Sequence, residues 1–289
     1  MNTSKHIILI PVYNDWKSLN KLLFQLNKVF ENHKSSVTEI LVVNDGSTDK
    51  MDINNSGLTN LNKISVITLK KNLGTQKAIA VGLFYLKDKE KDSFVTVMDG
   101  DGEDDPFQID SMFEEAKKNQ NLVITSNRTK REEPLIFKFL YKIHLIITFI
   151  FSYNWISYGN FTTFSSRNIS KILSNNNSWY AHASSVLKNC NIKRLYAPRQ
   201  KRYFDQSKMN LLTLIEHSLR VNTVFFQKVF LNSLLYSVII FFIFNFFYLN
   251  YILIFLILTY NLLIFFVRKK HFVKDLVNLD IFIDNVKLI

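Results

Sequence analysis

VMDGDGEDDP, residues Val97–Pro106, is the stretch on which the reading of this chain turns. It packs five carboxylates, Asp99, Asp101, Glu103, Asp104 and Asp105, into seven consecutive residues, although each raises the cost of ionising its neighbours. The apolar Phe94–Met98 just before it reads as a buried strand, so the charge gathers where a strand ends. Such a run calls for a cation. Asp99, Asp101 and Glu103 stand at alternate positions, and oxygen ligands so spaced suit a hard ion such as Mg²⁺ or Mn²⁺. An EF-hand loop is excluded, because its sixth position would be Asp104 instead of Gly and no Glu stands at the twelfth. A solvated acidic turn is the plainer alternative. Asp105-Pro106 reads as the start of the next helix, where Pro fits the first turn.

Working outward, Ile7–Ile10, Glu39–Val43, Ile64–Leu69 and Leu122–Thr125 are further short apolar runs with the look of strands. Lys17–Phe30 and Thr75–Lys87 carry apolar residues at helical spacing. Strands alternating with helices predict a mostly parallel α/β sheet, in which ligands bind beyond the carboxyl ends of the strands. Polar clusters lie at those ends: Tyr13-Asn14-Asp15 after the first strand, Asn44-Asp45-Gly46-Ser47 after the second, and the acidic run after the fourth.

The C-terminal third has another character. Val229–Tyr248 and Tyr251–Val267 contain no charged side chain, and their lengths suit two membrane crossings. Lys228 before them and Arg268-Lys269-Lys270 after them place both outer ends in the cytoplasm by the positive-inside rule. A buried core hairpin is the alternative. Leu135–Phe151 is apolar but interrupted by Lys138, Lys142 and His144, as in a helix lying in a membrane interface; a third span and a core helix stay open. Leu211–Phe226 reads as a second interfacial helix. The expected organisation is a catalytic domain over 1–210, a juxtamembrane helix over 211–228, a hairpin over 229–267 and a cytoplasmic tail over 268–289. Ile7–Val12 is too short for a signal peptide. The single cysteine, Cys190, excludes an intramolecular disulfide. Lys and Arg exceed Asp and Glu by 36 − 24 = 12, which admits anionic substrates or an anionic surface. A nucleic-acid role is disfavoured by the hairpin and by the lack of a basic–aromatic binding motif.

PVYND, VVNDGSTD, KNLGTQKAIAVGL and VMDGDGEDDP, in this order, resemble the family 2 glycosyltransferases of GT-A fold, and with the C-terminal apolar helices their polyprenyl-phosphate branch. The resemblance implies a GT-A (Rossmann-like) domain acting on a nucleotide-sugar. It implies Pro11, Tyr13, Asp15 and Asp45 around the nucleotide, with the Tyr13 ring against the base and Asp45 accepting a hydrogen bond from it. Asp99 and Gly100 would lie at the ribose or sugar, with Asp99 and Asp101 as the catalytic pair. Mg²⁺ or Mn²⁺ would be held by Asp101 and Glu103, with Asp99 beside them. Glu103, Asn160 and Thr162 depart from the dolichyl-phosphate-mannose synthases, which usually carry Gln at the first and an acidic residue and an Arg around the others.

Between Glu133 and Asp205 there is no Asp or Glu, yet there are ten Lys or Arg. A sugar-hydroxyl acceptor ordinarily needs a carboxylate base; a phosphate monoester, with a second pKa of about 6, is already ionised and needs cations instead. Arg199, Arg202 and Lys208 are the candidates to hold it, with Arg128 or Arg131 assisting. The expected reaction is inverting transfer to a polyprenyl phosphate at the cytoplasmic face of the inner membrane, by a multi-pass protein. The expected partners are a UDP- or GDP-linked sugar, polyprenyl phosphate and membrane lipid, with a homo-oligomer allowed and no nucleic acid. The rivals are transfer to a lipid-linked sugar hydroxyl, with Asp104 or Asp105 as base, and a non-catalytic membrane scaffold. His144, His182 and His217 lack metal-ligand spacing and are assigned no chemistry.

Overall fold

The computed structural model describes residues 4–32, 36–129, 135–204, 211–243, 247–273, 278 and 281–289. The chain divides into two compact units: Met1–Arg131, Tyr158–Ser207 and Asp275–Ile289 form the first, and Glu132–Ser157 with Lys208–Lys274 the second.

In the first unit, β1 (Ser4–Val12), α1 (Trp16–Val29), β2 (Ser36–Asn44), β3 (Lys63–Leu69), α2 (Thr75–Lys87), β4 (Ser93–Val97), α3 (Ile109–Lys118) and β5 (Leu122–Arg128) follow one another. Every strand and helix expected from periodicity in this stretch is present. The parallel pairs β4–β1, β1–β2 and β2–β3 form the centre of one eight-stranded sheet. Side chains alternate along a strand, so Ile8, Ile10 and Val12 of β1 join Leu19, Leu22 and Leu26 of α1 and Met112 and Phe113 of α3 in one core. Leu9 points to the other face, where Gly82 of α2 packs against it and against Val43. Two apolar faces explain why these strands read as continuous apolar runs.

The sheet is wider than its sequence signals. The second unit's α4 (Leu135–Ser152) intervenes before β6 (Tyr158–Ser165), which inserts antiparallel between β4 and β5. The short helices α5 (Ile169–Ile172) and α6 (Asn177–Tyr180) and then α7 (His182–Asn189) lead to β7 (Asn191–Ala197), parallel to β5. The segment expected to be only a cytoplasmic tail supplies an eighth strand, β8 (Ile283–Leu288), antiparallel to β3. Its exposed, half-polar IDNVKL pattern is that of an edge strand, whose pairing is a tertiary matter.

The second unit also holds α8 (Leu211–Thr223), α9 (Phe226–Ile243) and α10 (Phe247–Lys270). Within it, Asn261 of α10 donates to the Ser233 hydroxyl of α9 at 2.7 Å. Of the described helices only α10, over Tyr248–Lys270, is by itself long and apolar enough to cross a membrane; α9 reaches that length only together with α8, and the two meet at 91°. Along α4, Leu135, Ile136, Phe139, Ile143, Ile146, Phe149 and Ile150 are exposed.

Candidate active site

The five carboxylates after β4 have five different surroundings. Asp104 is 4 % exposed and its Oδ2 accepts the Asp99 N–H at 3.0 Å, closing the loop on itself. Asp105 accepts the Phe107 N–H at 3.0 Å and so caps the 3₁₀ turn Pro106–Gln108, as its Pro promised. Both are committed to the main chain. Asp101 accepts the Glu103 N–H through Oδ1 and Arg202 Nη1 through Oδ2, at 3.0 and 2.8 Å. Glu103 pairs with Arg199. Asp99 accepts a hydrogen bond from Asn160 Nδ2 at 3.0 Å.

The arginines arrive on a strap, residues 199–203, that follows β7. Its main chain binds the loop as well: the Gln200 N–H donates to the Glu103 carbonyl and the Tyr203 N–H to that of Asp101, both at 3.0 Å. Between them Gly102 has φ +87°, and a Cβ there would lie 2.5 Å from the Tyr203 ring; only glycine fits. Tyr203 in turn donates to Gln25, and Lys21 of α1 sits 4.6 Å above its ring. Arg202 also reaches Asp15, 3.5 Å from its Nη2. Arg199 and Arg202, the candidates for an acceptor phosphate, are therefore seated on the acidic loop. Lys208 and Arg131 lie outside the described residues.

Burial and the neighbouring Glu103 push the Asp101 carboxyl above its ordinary range, and the two guanidinium groups pull the other way. Two adjoining part-buried carboxylates form a hard-oxygen site whose charge the two arginines balance here, and Mg²⁺ is commonly bound by one or two carboxylates plus substrate phosphates. Asp101 and Glu103 fit that description. A three-carboxylate cage does not form: among the described residues no three His, Cys, Asp or Glu side chains converge, because Asp99 is turned to Asn160.

A second wall is built largely from amides. Asn14, at φ +49°, donates to the Thr48 hydroxyl at 2.8 Å, while its Oδ1 accepts the N–H groups of Thr48 and Asp49 at 2.9 and 3.1 Å. This locks the NDGSTD turn onto the loop after β1. Gly46 has φ +64°, and a Cβ there would lie 2.4 Å from the Lys71 carbonyl carbon. Asp45, expected to accept a hydrogen bond from a base, is 3 % exposed and accepts the N–H groups of Leu73 and Gly74 at 2.7 and 2.8 Å. It holds the turn that starts α2. Burial raises it to about 6 against the pull of those two N–H groups. Pro11 is buried in β1, Asp15 and Gly100 are half-buried, and the Tyr13 ring is 38 % exposed at the strand end.

Asn14, Gln76 and Asn160 are the site residues to which sequence reasoning gave no role. Asn14 could have been suspected from its place between a strand end and a helix start. Gln76 and Asn160 touch across 84 positions, and no local pattern reports such a contact.

The Glycosyl transferase family 2 profile matches residues 7–182, more than half of the chain. The chain belongs to that family. In this family member the matched span runs from β1 to the first residue of α7 and contains both walls except the 199–203 strap. A curated relative, the dodecaprenyl-phosphate galacturonate synthase of Rhizobium johnstonii, is 25% identical over 137 residues, 45% of this chain and 38% of that protein's own length. Among solved structures, glucosyl-3-phosphoglycerate synthase from Mycobacterium tuberculosis, crystallised with Mn²⁺, UDP-glucose and phosphoglyceric acid, superposes with a TM-score of 0.56 at 10% identity, over 78% of this chain and 80% of that one. Staphylococcal (S. aureus) TarS in complex with UDP-GlcNAc aligns with a TM-score of 0.47 at 17% identity, over 79% and 69%. The family match and the superposition on the mycobacterial synthase show that the mixed α/β sheet is of the GT-A kind.

Proposed function

We propose that the protein transfers a sugar, with inversion, from a UDP- or GDP-linked donor to a polyprenyl phosphate at the cytoplasmic face of a membrane. One observation carries this reading: the 199–203 strap, from a stretch without carboxylates, sets Arg199 and Arg202 on Glu103 and Asp101. Cations able to hold an acceptor phosphate and carboxylates suited to the donor's metal then share one site. The curated relative named above, a dodecaprenyl-phosphate galacturonate synthase, favours a lipid phosphate as acceptor, and Mn²⁺ beside UDP-glucose in a structure of similar fold favours a divalent ion.

Asp101 and Glu103 would hold Mg²⁺ or Mn²⁺, which when bound neutralises the departing nucleoside diphosphate. The remaining work falls to the chain's own groups. The exposed Tyr13 ring offers a stacking face for the base, and Asp45 keeps the 73–74 turn in place behind it. Asp99, its carboxylate aimed by Asn160, faces the ribose or sugar. Arg199 and Arg202 bind the acceptor's phosphate and orient one of its oxygens for direct displacement at the anomeric carbon. No base is required, because the nucleophile is already ionised. Asp104 and Asp105, the candidate bases for a hydroxyl acceptor, are both engaged by main-chain N–H groups, which disfavours that rival.

For the membrane, we infer that α10 spans, that α9 makes the second half of a hairpin, and that the exposed apolar side chains of α4 lie in the interface with Lys142 reaching headgroups. The test is to incubate membranes containing the protein with labelled UDP- and GDP-sugars, undecaprenyl phosphate and Mn²⁺ or Mg²⁺. Label in an acid-labile lipid supports the reading. Transfer only to lipid that already bears a sugar would replace it with the hydroxyl-acceptor reaction.

A further inference from the structure

A chain of amides, buried at His182 and Gln76 and half-buried at Asn160, runs from the start of α7 to Asp99. The His182 N–H donates to Gln76 Oε1 at 2.6 Å; Gln76 Nε2 donates to Asn160 Oδ1 at 3.0 Å; Asn160 Nδ2 donates to Asp99 Oδ1 at 3.0 Å. Four separate elements are joined: α7, α2, β6 and the loop after β4. Gln76 is 7 % exposed and His182 fully buried, so water offers little substitute for the bond between them.

Both ends of the chain have a fixed sense. A main-chain N–H only donates, and an ionised carboxylate only accepts. The His182 N–H is one of the first N–H groups of a helix, which lack partners inside that helix. Its demand for an acceptor sets Gln76 with Oε1 toward it and Nε2 toward Asn160. Asn160 must then accept on Oδ1, which leaves Nδ2 for Asp99. Turning either amide over would oppose donor to donor at one contact and acceptor to acceptor at the next. Around the relay, Thr162 donates to the Asn160 carbonyl at 3.1 Å and its hydroxyl lies 2.9 Å from His182 Nε2.

We propose that Gln76 is a positioning residue for Asp99, acting through Asn160: the α7 N-terminus dictates, by way of two side-chain amides, which Asp99 oxygen is tied and where the other points. The functional half of this statement rests on the reading of Asp99 as a donor contact. The geometric half does not.

The test is a double-variant cycle on the full chain in detergent micelles. Gln76→Glu preserves shape and still accepts the His182 N–H, and at a pH high enough to ionise it its second oxygen can only accept. Asn160 must then turn its Nδ2 to Glu and its Oδ1 to the Asp99 carboxylate. Asp99→Asn supplies a donor to that oxygen and repairs the relay with its sense reversed. The Tm of Gln76→Glu is expected to fall by about 2–5 °C, and Gln76→Glu/Asp99→Asn to regain more than half of the loss. Residues that do not share a network add instead; additive shifts would overturn the relay. The same cycle in an Asn160→Ala background should show no coupling, and coupling that persisted there would remove Asn160 from the path.

In the transfer assay above, Gln76→Glu is expected to lower kcat/KM for the donor about tenfold or more, since small misplacements near reacting groups are costly. The double variant should recover stability without recovering turnover, because the Asp99 charge is gone. Undiminished turnover in Asp99→Asn would sink the donor-site reading while the thermal coupling stood. Loss of turnover in Asp99→Asn with no coupling would sink the relay and leave the reading intact.

Discussion

The two walls of the site are held by opposite physics. On one side Asp101 and Glu103 gather negative charge in part-buried positions, and Arg199 and Arg202 balance it across 96 and 101 positions of sequence. On the other, Asn14, Gln76 and Asn160 carry no charge and are held by hydrogen bonds whose sense is set by main-chain donors. Ion pairs in such a place are exchangeable: any cation of suitable size can take the arginine's part, and a phosphate can take the carboxylate's. Amide networks are not exchangeable, because each member needs one particular donor and one particular acceptor. The charged wall suits the groups that must bind and release, and the neutral wall those that must stay.

That contrast can be broken most directly at Asp101. Asp101→Asn keeps the shape and the Glu103 N–H contact but removes the charge, and transfer should fall by about 100-fold or more, measured with labelled UDP- and GDP-sugars. Transfer within a few-fold of the parent would mean the acidic loop is structural. Next in size is Arg202→Ala. It leaves Asp101 and Asp15 without their shared guanidinium, with an expected loss of about 2–3 kcal/mol in urea unfolding; an unchanged midpoint would show that the strap contributes nothing to stability.

Asp45 gives a pH signature to the neutral wall. Its folded pKa, about 6, lies above the roughly 3.9 of an unfolded Asp. A carboxyl raised on folding stabilises most below its unfolded value, and this contribution, about 3 kcal/mol, is lost as pH rises from about 4 through 6. Thermal unfolding of the parent and Asp45→Asn across that window should diverge by this slope; parallel curves would contradict the burial argument. The smallest effect is at Asn14. Asn14→Ala frees the Thr48 and Asp49 N–H groups and puts Ala in a left-handed conformation, at a cost of about 1 kcal/mol. A loss larger than that of Arg202→Ala would mean the amide wall is the sturdier of the two.

Much of this was legible in the chain itself. The first five strands, β1 to β5, with α1 to α3 follow from apolar periodicity, because strands buried on both faces need long apolar runs and crossover helices need one apolar stripe. The acidic loop was legible for the same local reason: its residues are neighbours in sequence. The strands β6, β7 and β8 were not, since β6 is rich in Thr and Ser and β7 and β8 lie toward the edges, where half-polar sequences suffice. The placement of α4 with the helical unit, and the fact that among the described helices only α10 by itself has full spanning length, likewise depended on where helices bend and pack.

What the amino-acid order settled alone is the set of chemical types: hard oxygen donors at a strand end, and a stretch with cations and no base. The fold decided how they are shared out. It took five similar carboxylates and made two into loop closures, two into partners of arginines and one into the end of an amide relay. Burial and hydrogen-bond direction assign these roles, and both are properties of what surrounds a residue after folding rather than of its neighbours along the chain.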